Sequence, residues 1–278
     1  MKPLFIVLII LCVLLILFLF YLLLILPGKR RKEKWEPFFQ YHYAHRGLFD
    51  NNSNAPENSL AAFQKAIESG YGMEFDVQLT KDDVLVVFHD ATLKRMCGVD
   101  GNVWDYTYEE LQAFTLSSSD QRIPKLEEVL KLVKGQVPLI IEYKLDRVQT
   151  KVCELANNLL KDYKGLYCIE CFHPAAPNWY KKNRPDIIRG QLCEEYYKEE
   201  QYRTLKYFIA SFLVTNIYTK PDFIAYNCLH RKNISRCLCR KLGAVSVAWT
   251  VKSVAQYEEI KKDFDLFIFD SCILPKDK

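Results

Sequence analysis

Short apolar runs rich in β-branched and aromatic residues recur along the chain and alternate with segments of helical period. The apolar runs fall at 42–46, 73–79, 85–89, 138–144, 167–172, 187–192, 222–227, 244–250 and 266–270. Helical patterns lie between most of them, for example at 59–69, 126–133, 150–162 and 254–262. This alternation predicts an α/β fold with parallel strands and crossover helices. The chain length suits an eight-stranded (β/α)8 TIM barrel.

The second and third runs are separated only by a polar turn, with no helical segment between them. We therefore expect a β-hairpin, which explains why the sequence holds one strand more than the barrel needs. On the first arm Glu74 and Asp76 are two residues apart, so both carboxylates leave the same face of the strand. The second arm ends in His89 and Asp90. Carboxylates and a histidine at one end of a sheet predict a functional site.

The N-terminal part of the chain carries a long apolar run, residues 4–26, which contains no charged residue. At about 1.5 Å per residue this run is long enough to cross a hydrocarbon core of about 30 Å. No small-residue cleavage site follows it, and Pro27 and Gly28 end it. We predict a single-pass membrane protein whose transmembrane anchor occupies residues 1–28 and lies in the lipid bilayer through residues 4–26.

Residues 29–34 follow at once and carry five Lys and Arg against one Glu. We predict that residues 29–40 form a basic juxtamembrane tether, and that residues 29–34 bind anionic lipid head groups. Only Lys2 precedes the apolar run, so the positive-inside rule predicts a cytoplasmic location for the catalytic domain. The ten cysteines show no regular spacing, which is typical of reduced thiols in that compartment.

The remaining domain, predicted to occupy residues 41–278, has no net charge of its own. Residues 1–36 carry six of the 38 Lys and Arg and two of the 34 Asp and Glu, which leaves 32 residues of each sign. A neutral domain has no basic footprint for a nucleic acid, so we expect no nucleic-acid partner.

Several polar residues fall at the ends of predicted strands, where barrel enzymes carry their chemistry. Glu142 adds a third carboxylate to Glu74 and Asp76, and three oxygen ligands favour Ca²⁺ or Mg²⁺. The histidines His45 and His89 suit an acid and a base, and the cations Arg46 and Lys144 suit a phosphate. Taken singly, each feature also fits an ordinary ion pair or a strand-end histidine. Together they predict phosphoryl transfer at a phosphodiester.

The chain resembles the glycerophosphodiester phosphodiesterase family from residue 41 to about residue 272. The motifs that carry the resemblance are His45-Arg46-Gly47, Pro56-Glu57-Asn58-Ser59, 74–82, Val87-Phe88-His89-Asp90, 93–95, 123–130, Glu142-Tyr143-Lys144, Trp249-Thr250-Val251 and Asp270. The C-terminal sequence Phe-Asp-Ser-Cys departs from the usual family pattern, which weakens any role assigned to Asp270.

The resemblance implies metal-dependent hydrolysis of glycerophosphodiesters to sn-glycerol 3-phosphate and an alcohol. It implies a divalent cation, Ca²⁺ or Mg²⁺, on Glu74, Asp76 and Glu142. It also implies His45 and His89 as the catalytic acid and base, Arg46 and Lys144 as phosphate ligands, and Glu57 and Trp249 as supporting residues.

Three other functions remain open from the sequence. The anchor favours a lysophospholipase D-type activity on lysophospholipids at the membrane. A catalytically inactive membrane-bound barrel would be expected to lack a ligand or a histidine, and none is missing. A phosphoinositide- or sphingomyelin-type lipase would share the metal and histidine set, but the Pro-Glu-Asn-Ser and Glu-Tyr-Lys motifs favour glycerophosphodiesters.

Overall fold

The computed structural model describes residues 3–28, 32–145, 147, 149–198 and 200–276. The strands are β1 (Tyr43–His45), β2 (Gly72–Leu79), β3 (Leu85–Val87), β4 (Leu139–Tyr143), β5 (Tyr167–Cys171), β6 (Arg189–Cys193), β7 (Phe223–Asn227), β8 (Val245–Val251) and β9 (Leu266–Phe269). The helices are α1 (Pro3–Ile25), α2 (Lys32–Trp35), α3 (Leu60–Glu68), α4 (Lys94–Cys97), α5 (Tyr108–Leu111), α6 (Leu126–Val133), α7 (Lys151–Leu160), α8 (Ala175–Asn183), α9 (Leu205–Ser211), α10 (Asn216–Thr219), α11 (Ile234–Lys241) and α12 (Val254–Ile260).

Eight parallel strands close into a barrel in the order β1, β9, β8, β7, β6, β5, β4, β2, with β2 pairing back to β1. Strand β3 lies outside this ring, pairs antiparallel with β2 and forms one further bridge, from Val86 to Lys125. The predicted (β/α)8 TIM barrel and its extra hairpin strand are therefore confirmed. The four helical segments singled out in the sequence correspond to α3, α6, α7 and α12.

The core has an inner and an outer layer, as the alternation of side chains along each strand requires. On β4, Ile140 points into the barrel, whereas Ile141 packs outward against the helices. On β5, Cys168 lies inside and Cys171 outside, so these two thiols face opposite layers as expected for a strand. A third cluster, centred on Phe88, holds the segment between β3 and α6.

The segment before β1 closes the end of the barrel opposite the carboxyl ends of the strands. Trp35 is 1% exposed and lies edge-on to Phe223, the first residue of β7, at 5.3 Å between ring centroids. Phe38 packs beside Trp35 and is also buried. Part of the predicted tether, residues 29–40, thus packs against the barrel; its first residues, 29–31, lie outside the described part of the chain. The domain boundary at residue 41 stays a prediction.

Helix α1 is long and apolar enough to cross a membrane by its length and composition, criteria that a signal sequence also meets. Its side chains are exposed over most of its length, and only its last turns pack against the barrel.

Candidate active site

The carboxyl ends of the parallel strands bring the predicted site residues to one face of the barrel. A cavity of about 310 Å³ there is lined by the residues His45, Arg46, Glu74, His89, Glu142, Glu170 and Trp249, among others. Asp76 lies on β2 two residues after Glu74, and Lys144 follows β4 directly and contacts Asp76. Glu57 lies behind Arg46, in contact with its guanidinium. All nine predicted site residues therefore meet around one region, although this does not test their roles.

Three buried carboxylates form the floor of the cavity. The pairing of β2 with β4 sets Asp76 beside Glu142, and Glu74 lies one step earlier on the same face of β2. One oxygen from each carboxylate lies within 4.8 Å of the others. Oxygen-only donors at this spacing fit a hard divalent cation, and Glu74 Oε2 is buried without a hydrogen-bond partner in the described part of the chain. Ca²⁺ or Mg²⁺ therefore fits this donor set.

Lys144 contributes a positive charge to the same cluster. Its Nζ lies 2.8 Å from Asp76 Oδ1 and 2.6 Å from Glu142 Oε1. Burial alone would raise the pKa of Asp76, but the charges of Lys144, His89 and Arg46 together outweigh it and hold that pKa well below its usual value. By contrast, burial and then the charge of Asp76 raise the pKa of Glu74 well above its usual value. Asp76 is thus the carboxylate that stays ionised most readily.

A fourth carboxylate, Glu170, faces the same cavity and was missed in the sequence. The pairing of β4 with β5 sets it beside Glu142. It is 1% exposed, and its Oε2 has no hydrogen-bond partner among the described residues. Burial, followed by the charge of Glu142, raises the pKa of Glu170 well above its usual value. Glu170 is two residues from Cys168 on the same strand, so the two side chains share the inner face of the barrel, and this spacing was the available signal.

Each of the two predicted catalytic histidines is oriented by a carboxylate. His45 Nδ1 lies 3.0 Å from Asp270 Oδ2, and His89 Nδ1 lies 2.6 Å from Asp90 Oδ1. A ring nitrogen that faces a carboxylate carries the hydrogen, so Nε2 of each ring is left to exchange protons. His45 Nε2 also lies 3.9 Å from Glu74 Oε2, beside the acidic cluster. Burial lowers the pKa of His45, which the hydrogen bond to Asp270 only partly offsets.

An ion-pair network joins the loops that carry the two histidines. Arg46 Nη1 donates to Glu57 Oε1 at 2.7 Å, and Arg95 Nη1 donates to Glu57 Oε2 at 2.8 Å. Arg95 Nε in turn donates to Asp90 Oδ2 at 2.7 Å. Glu57 therefore connects Arg46, next to His45, with Asp90, next to His89. The role of Arg95 in this network was not predicted, although its motif was noticed.

The loop after β1 needs an unusual backbone to place Arg46. Arg46 has a φ of 56° and Gly47 a φ of 83°, both in the left-handed region. A Cβ on Gly47 would lie 2.8 Å from the Ala62 carbonyl carbon, so only glycine fits. Asn58 is also left-handed, and its Nδ2 donates to Asp76 Oδ2 at 2.9 Å. This donation explains the asparagine of the Pro-Glu-Asn-Ser motif.

Aromatic side chains form one wall of the site. Trp249 lies edge-on to Phe172 at 5.4 Å, and Phe172 packs against Tyr196 at 6.2 Å. A second cavity of about 600 Å³ lies next to His89 and Glu142 and is lined by Phe172, Tyr196, Tyr202 and Tyr207. Trp249 Nε1 is buried without a partner in the described residues, so it is available to donate to a ligand.

The chain folds into a (β/α)8 barrel that carries a buried acidic cluster and two histidines, each beside a carboxylate. These features place it in the class of barrel proteins that have an enzyme-type site at the carboxyl ends of the strands. The chain belongs to the glycerophosphoryl diester phosphodiesterase family, whose family model matches residues 45–266.

Two curated relatives illustrate the similarity. A glycerophosphodiester phosphodiesterase of Bacillus altitudinis is 36% identical over 159 residues, covering 52% of this chain and 63% of the relative. The lysophospholipase D GDPD1 of Rattus norvegicus is 36% identical over 151 residues, covering 50% of this chain and 46% of the relative. The matched regions thus span less than two thirds of these relatives.

Solved structures agree in fold. A glycerophosphodiester phosphodiesterase of Thermotoga maritima has a TM-score of 0.63 and 27% identity, covering 83% of this chain and 95% of the other. A phosphodiesterase of Oleispira antarctica, in complex with sn-glycerol-3-phosphate, has a TM-score of 0.68 and 22% identity, covering 83% and 92%. At that identity the second likeness shows the shared fold alone.

Proposed function

We propose that this protein hydrolyses glycerophosphodiesters to sn-glycerol 3-phosphate and an alcohol, using a divalent cation held by Glu74, Asp76 and Glu142. The observation that carries the proposal is the meeting of that acidic cluster with two carboxylate-oriented histidines in one cavity. When bound, Ca²⁺ or Mg²⁺ would neutralise phosphate charge and make the glycerol hydroxyl more acidic.

The two histidines supply the proton transfers. His45 Nε2 accepts the proton of the glycerol 2-hydroxyl as its oxygen bonds to phosphorus, and His89 Nε2 donates a proton to the departing alcohol oxygen as the P–O bond breaks. In the second half, His89 accepts a proton from water as it attacks the cyclic phosphate. His45 then returns its proton to the 2-oxygen, which restores both rings. Burial lowers the pKa of His45, which favours its starting role as base.

Three other side chains would hold the substrate phosphate. Arg46 presents a guanidinium that is 13% exposed at the cavity, and Lys144 supplies a fixed ammonium beside the acidic cluster. Trp249 Nε1 is a buried donor with no partner in the described chain. Donors fixed before the substrate arrives stabilise the charge that develops on the phosphate oxygens.

The roles of the histidines are tested with His45→Asn and His89→Asn, each assayed for glycerol 3-phosphate release. We expect each variant to lose about 10²- to 10⁴-fold in kcat, because each removes one proton transfer. His230→Asn, in the loop after β7 and outside the cavity, is the matched control and should keep the normal rate. Near-normal rates in both site variants would contradict the proposed proton transfers.

The second candidate is lysophospholipase D-type hydrolysis of lysophospholipids, in which the second cavity of about 600 Å³ is the favouring observation. Its aromatic lining provides apolar surface beside His89 that a glycerophosphodiester without an acyl chain does not need. Faster release of choline from lysophosphatidylcholine than from glycerophosphocholine would support this substrate. Faster release from glycerophosphocholine would leave soluble diesters as the substrate. No choline release from either compound would favour an inactive barrel.

We also infer that residues 4–26 anchor the protein in a bilayer and that the barrel lies in the cytoplasm. The apolar length of α1 and the basic residues that follow it support this topology. Protease added to intact cells should leave the barrel intact and digest it only after lysis. Digestion in intact cells would place the barrel outside.

A further inference from the structure

The last turns of α1 pack against the flank of the barrel in a definite direction. The Tyr21 hydroxyl contacts Ser235 Oγ near the start of α11. One turn later the Ile25 carbonyl accepts a hydrogen bond from Cys239 Sγ at 3.3 Å, one turn further along α11. Helix α1 therefore runs parallel to α11 at this contact.

The direction of α11 is fixed by the barrel. It follows β7, so it begins at the carboxyl ends of the strands, where the candidate site lies, and runs toward the opposite end. Beyond α1, Gly28 N donates to the Pro221 carbonyl at 2.8 Å, just before β7 begins at that opposite end. Residues 21–28 thus descend the flank away from the site. The exposed residues 3–20 therefore extend past the face that carries the site.

The length of the free part of α1 is close to the thickness of the hydrocarbon core of a bilayer. Residues 3–20 give about 27 Å of helix at 1.5 Å per residue, close to the roughly 30 Å of a hydrocarbon core. Tyr21, where the free part ends, is already in contact with the barrel. If α1 spans a bilayer, the site-bearing face must therefore lie directly at the bilayer surface.

Exposed apolar side chains lie on the two segments that lead to the Tyr21 contacts, at Ser235 and at Phe212. Leu229 and Ile234 follow the site end of β7 and are 75% and 57% exposed. Leu205 and Phe208 lie on α9, whose C-terminal neighbour Phe212 accepts a hydrogen bond from Tyr21, and they are 74% and 49% exposed. We call these four residues the apolar rim. Such a group in contact with water is unfavourable unless another apolar phase covers it.

We propose that the apolar rim inserts into the surface of the bilayer that α1 spans, so that the site cavity opens onto that bilayer and takes a lysophospholipid directly from it. The inference rests on the proposed phosphodiesterase function and on the anchor. The aromatic cavity supports it, because Tyr202 and Tyr207 flank Leu205 in sequence and line the space beside His89. An acyl chain would leave the cavity on the side of the rim.

The same geometry argues against the basic tether as the bilayer contact. Lys34 Nζ donates to the Asp186 carbonyl at 2.8 Å, in the loop that leads into β6. That loop lies at the end of the barrel opposite the site, and Trp35 packs under the same end. If the described part of the tether lay on the bilayer, the end of the barrel opposite the site would face the membrane. The apolar rim predicts instead that the site-bearing end faces it.

The test uses the full chain in phosphatidylcholine vesicles that contain a lipid with a nitroxide on its head group. An environment-sensitive fluorescent amino acid replaces either Leu229 on the rim or Leu166. Leu166 is the matched control, since it is 42% exposed but precedes β5 at the opposite end. We expect several-fold stronger quenching at position 229 than at 166. Equal quenching, or stronger quenching at 166, would overturn the proposal.

A kinetic arm identifies the substrate. The double variant Leu229→Glu with Phe208→Glu should lose on the order of tenfold in turnover of vesicle-borne lysophosphatidylcholine, because charged residues oppose insertion. Its turnover of glycerophosphocholine should not change, and Leu166→Glu should affect neither rate. Unchanged lysophospholipid turnover in the double variant would contradict the proposal. A wild-type protein inactive on both substrates would instead refute the proposed function, while the quenching arm would still report on the rim.

Discussion

Asp270 takes part in the site although the sequence around it departs from the family pattern. It accepts a hydrogen bond from His45 Nδ1, and the Ser271 hydroxyl donates to its other oxygen at 2.9 Å. The carboxylate fixes which nitrogen of His45 faces the cavity. Its contact with His45 could not be read from spacing, because 225 residues separate the two in the chain.

Replacing Asp270 should therefore damage turnover without unfolding the protein. In Asp270→Asn we expect kcat to fall about 10²-fold with little change in KM, because His45 loses its fixed tautomer while the phosphate ligands remain. Ser271→Ala is the matched control and should lose far less. A wild-type kcat in Asp270→Asn would show that His45 needs no such orientation.

The ion pairs of Glu57 make the stability of the fold depend on pH. Burial alone would raise its pKa, but the hydrogen bonds from Arg95 and the charge of Arg46 lower it to about 2. A carboxyl with a pKa lower in the folded than in the unfolded state stabilises the fold above its unfolded pKa. That contribution is lost as the pH falls from the unfolded pKa, near 4.5, toward the folded value of about 2.

Denaturant unfolding at two pH values measures this effect. Between pH 7 and about pH 3.5, Glu57 alone should account for a loss on the order of 1 kcal/mol in the free energy of unfolding. Glu57→Gln should be less stable at pH 7 and should lose correspondingly less on acidification. Asp120→Asn, an exposed carboxyl for which no such network exists among the described residues, serves as the control. Parallel pH curves for the wild type and Glu57→Gln would contradict the network.

Among the elements, the strands were predictable and several helices were not. Each strand has a β-branched or aromatic apolar run that a single sequence displays, and the Lys-Asp-Asp turn marks the hairpin. Helices α4, α5 and α10 have four residues each, too few to show a helical period. Glu170 was overlooked for a related reason: one acidic residue between two cysteines has no pattern of its own until β5 is paired with β4.

The closure of the barrel by α2 and the turn after it was also missed. Trp35 directly follows a basic cluster, so it was assigned to a tether, yet Phe223 and Phe38 enclose its ring. Trp35→Ala should cost about 3–5 kcal/mol in the free energy of unfolding, because it leaves a large cavity under the barrel. Trp104→Ala, a change of equal size at a half-buried site, should cost clearly less. Equal losses would show that residue 35 lies outside the folded domain.

At the scale of the whole molecule, the two ends of the barrel differ in the residues that they carry. The carboxyl ends of the strands hold the candidate site, and the free part of α1 extends on that side. The opposite end is closed by Trp35 and holds Lys34. The apolar run and the charges of the sequence predicted an anchor and a basic cluster but not this polarity, because the polarity depends on where the last turns of α1 contact α11.

We propose that the acidic cluster of Glu74, Asp76 and Glu142 binds the divalent cation on which turnover depends. The most direct measurement follows glycerol 3-phosphate release from glycerophosphocholine by the full chain, first stripped with chelator and then titrated with Mg²⁺ or Ca²⁺. We predict no release from the stripped protein, recovery as the cation returns, and no recovery in Glu74→Gln. Full turnover by the stripped protein, or normal recovery in Glu74→Gln, would contradict the claim.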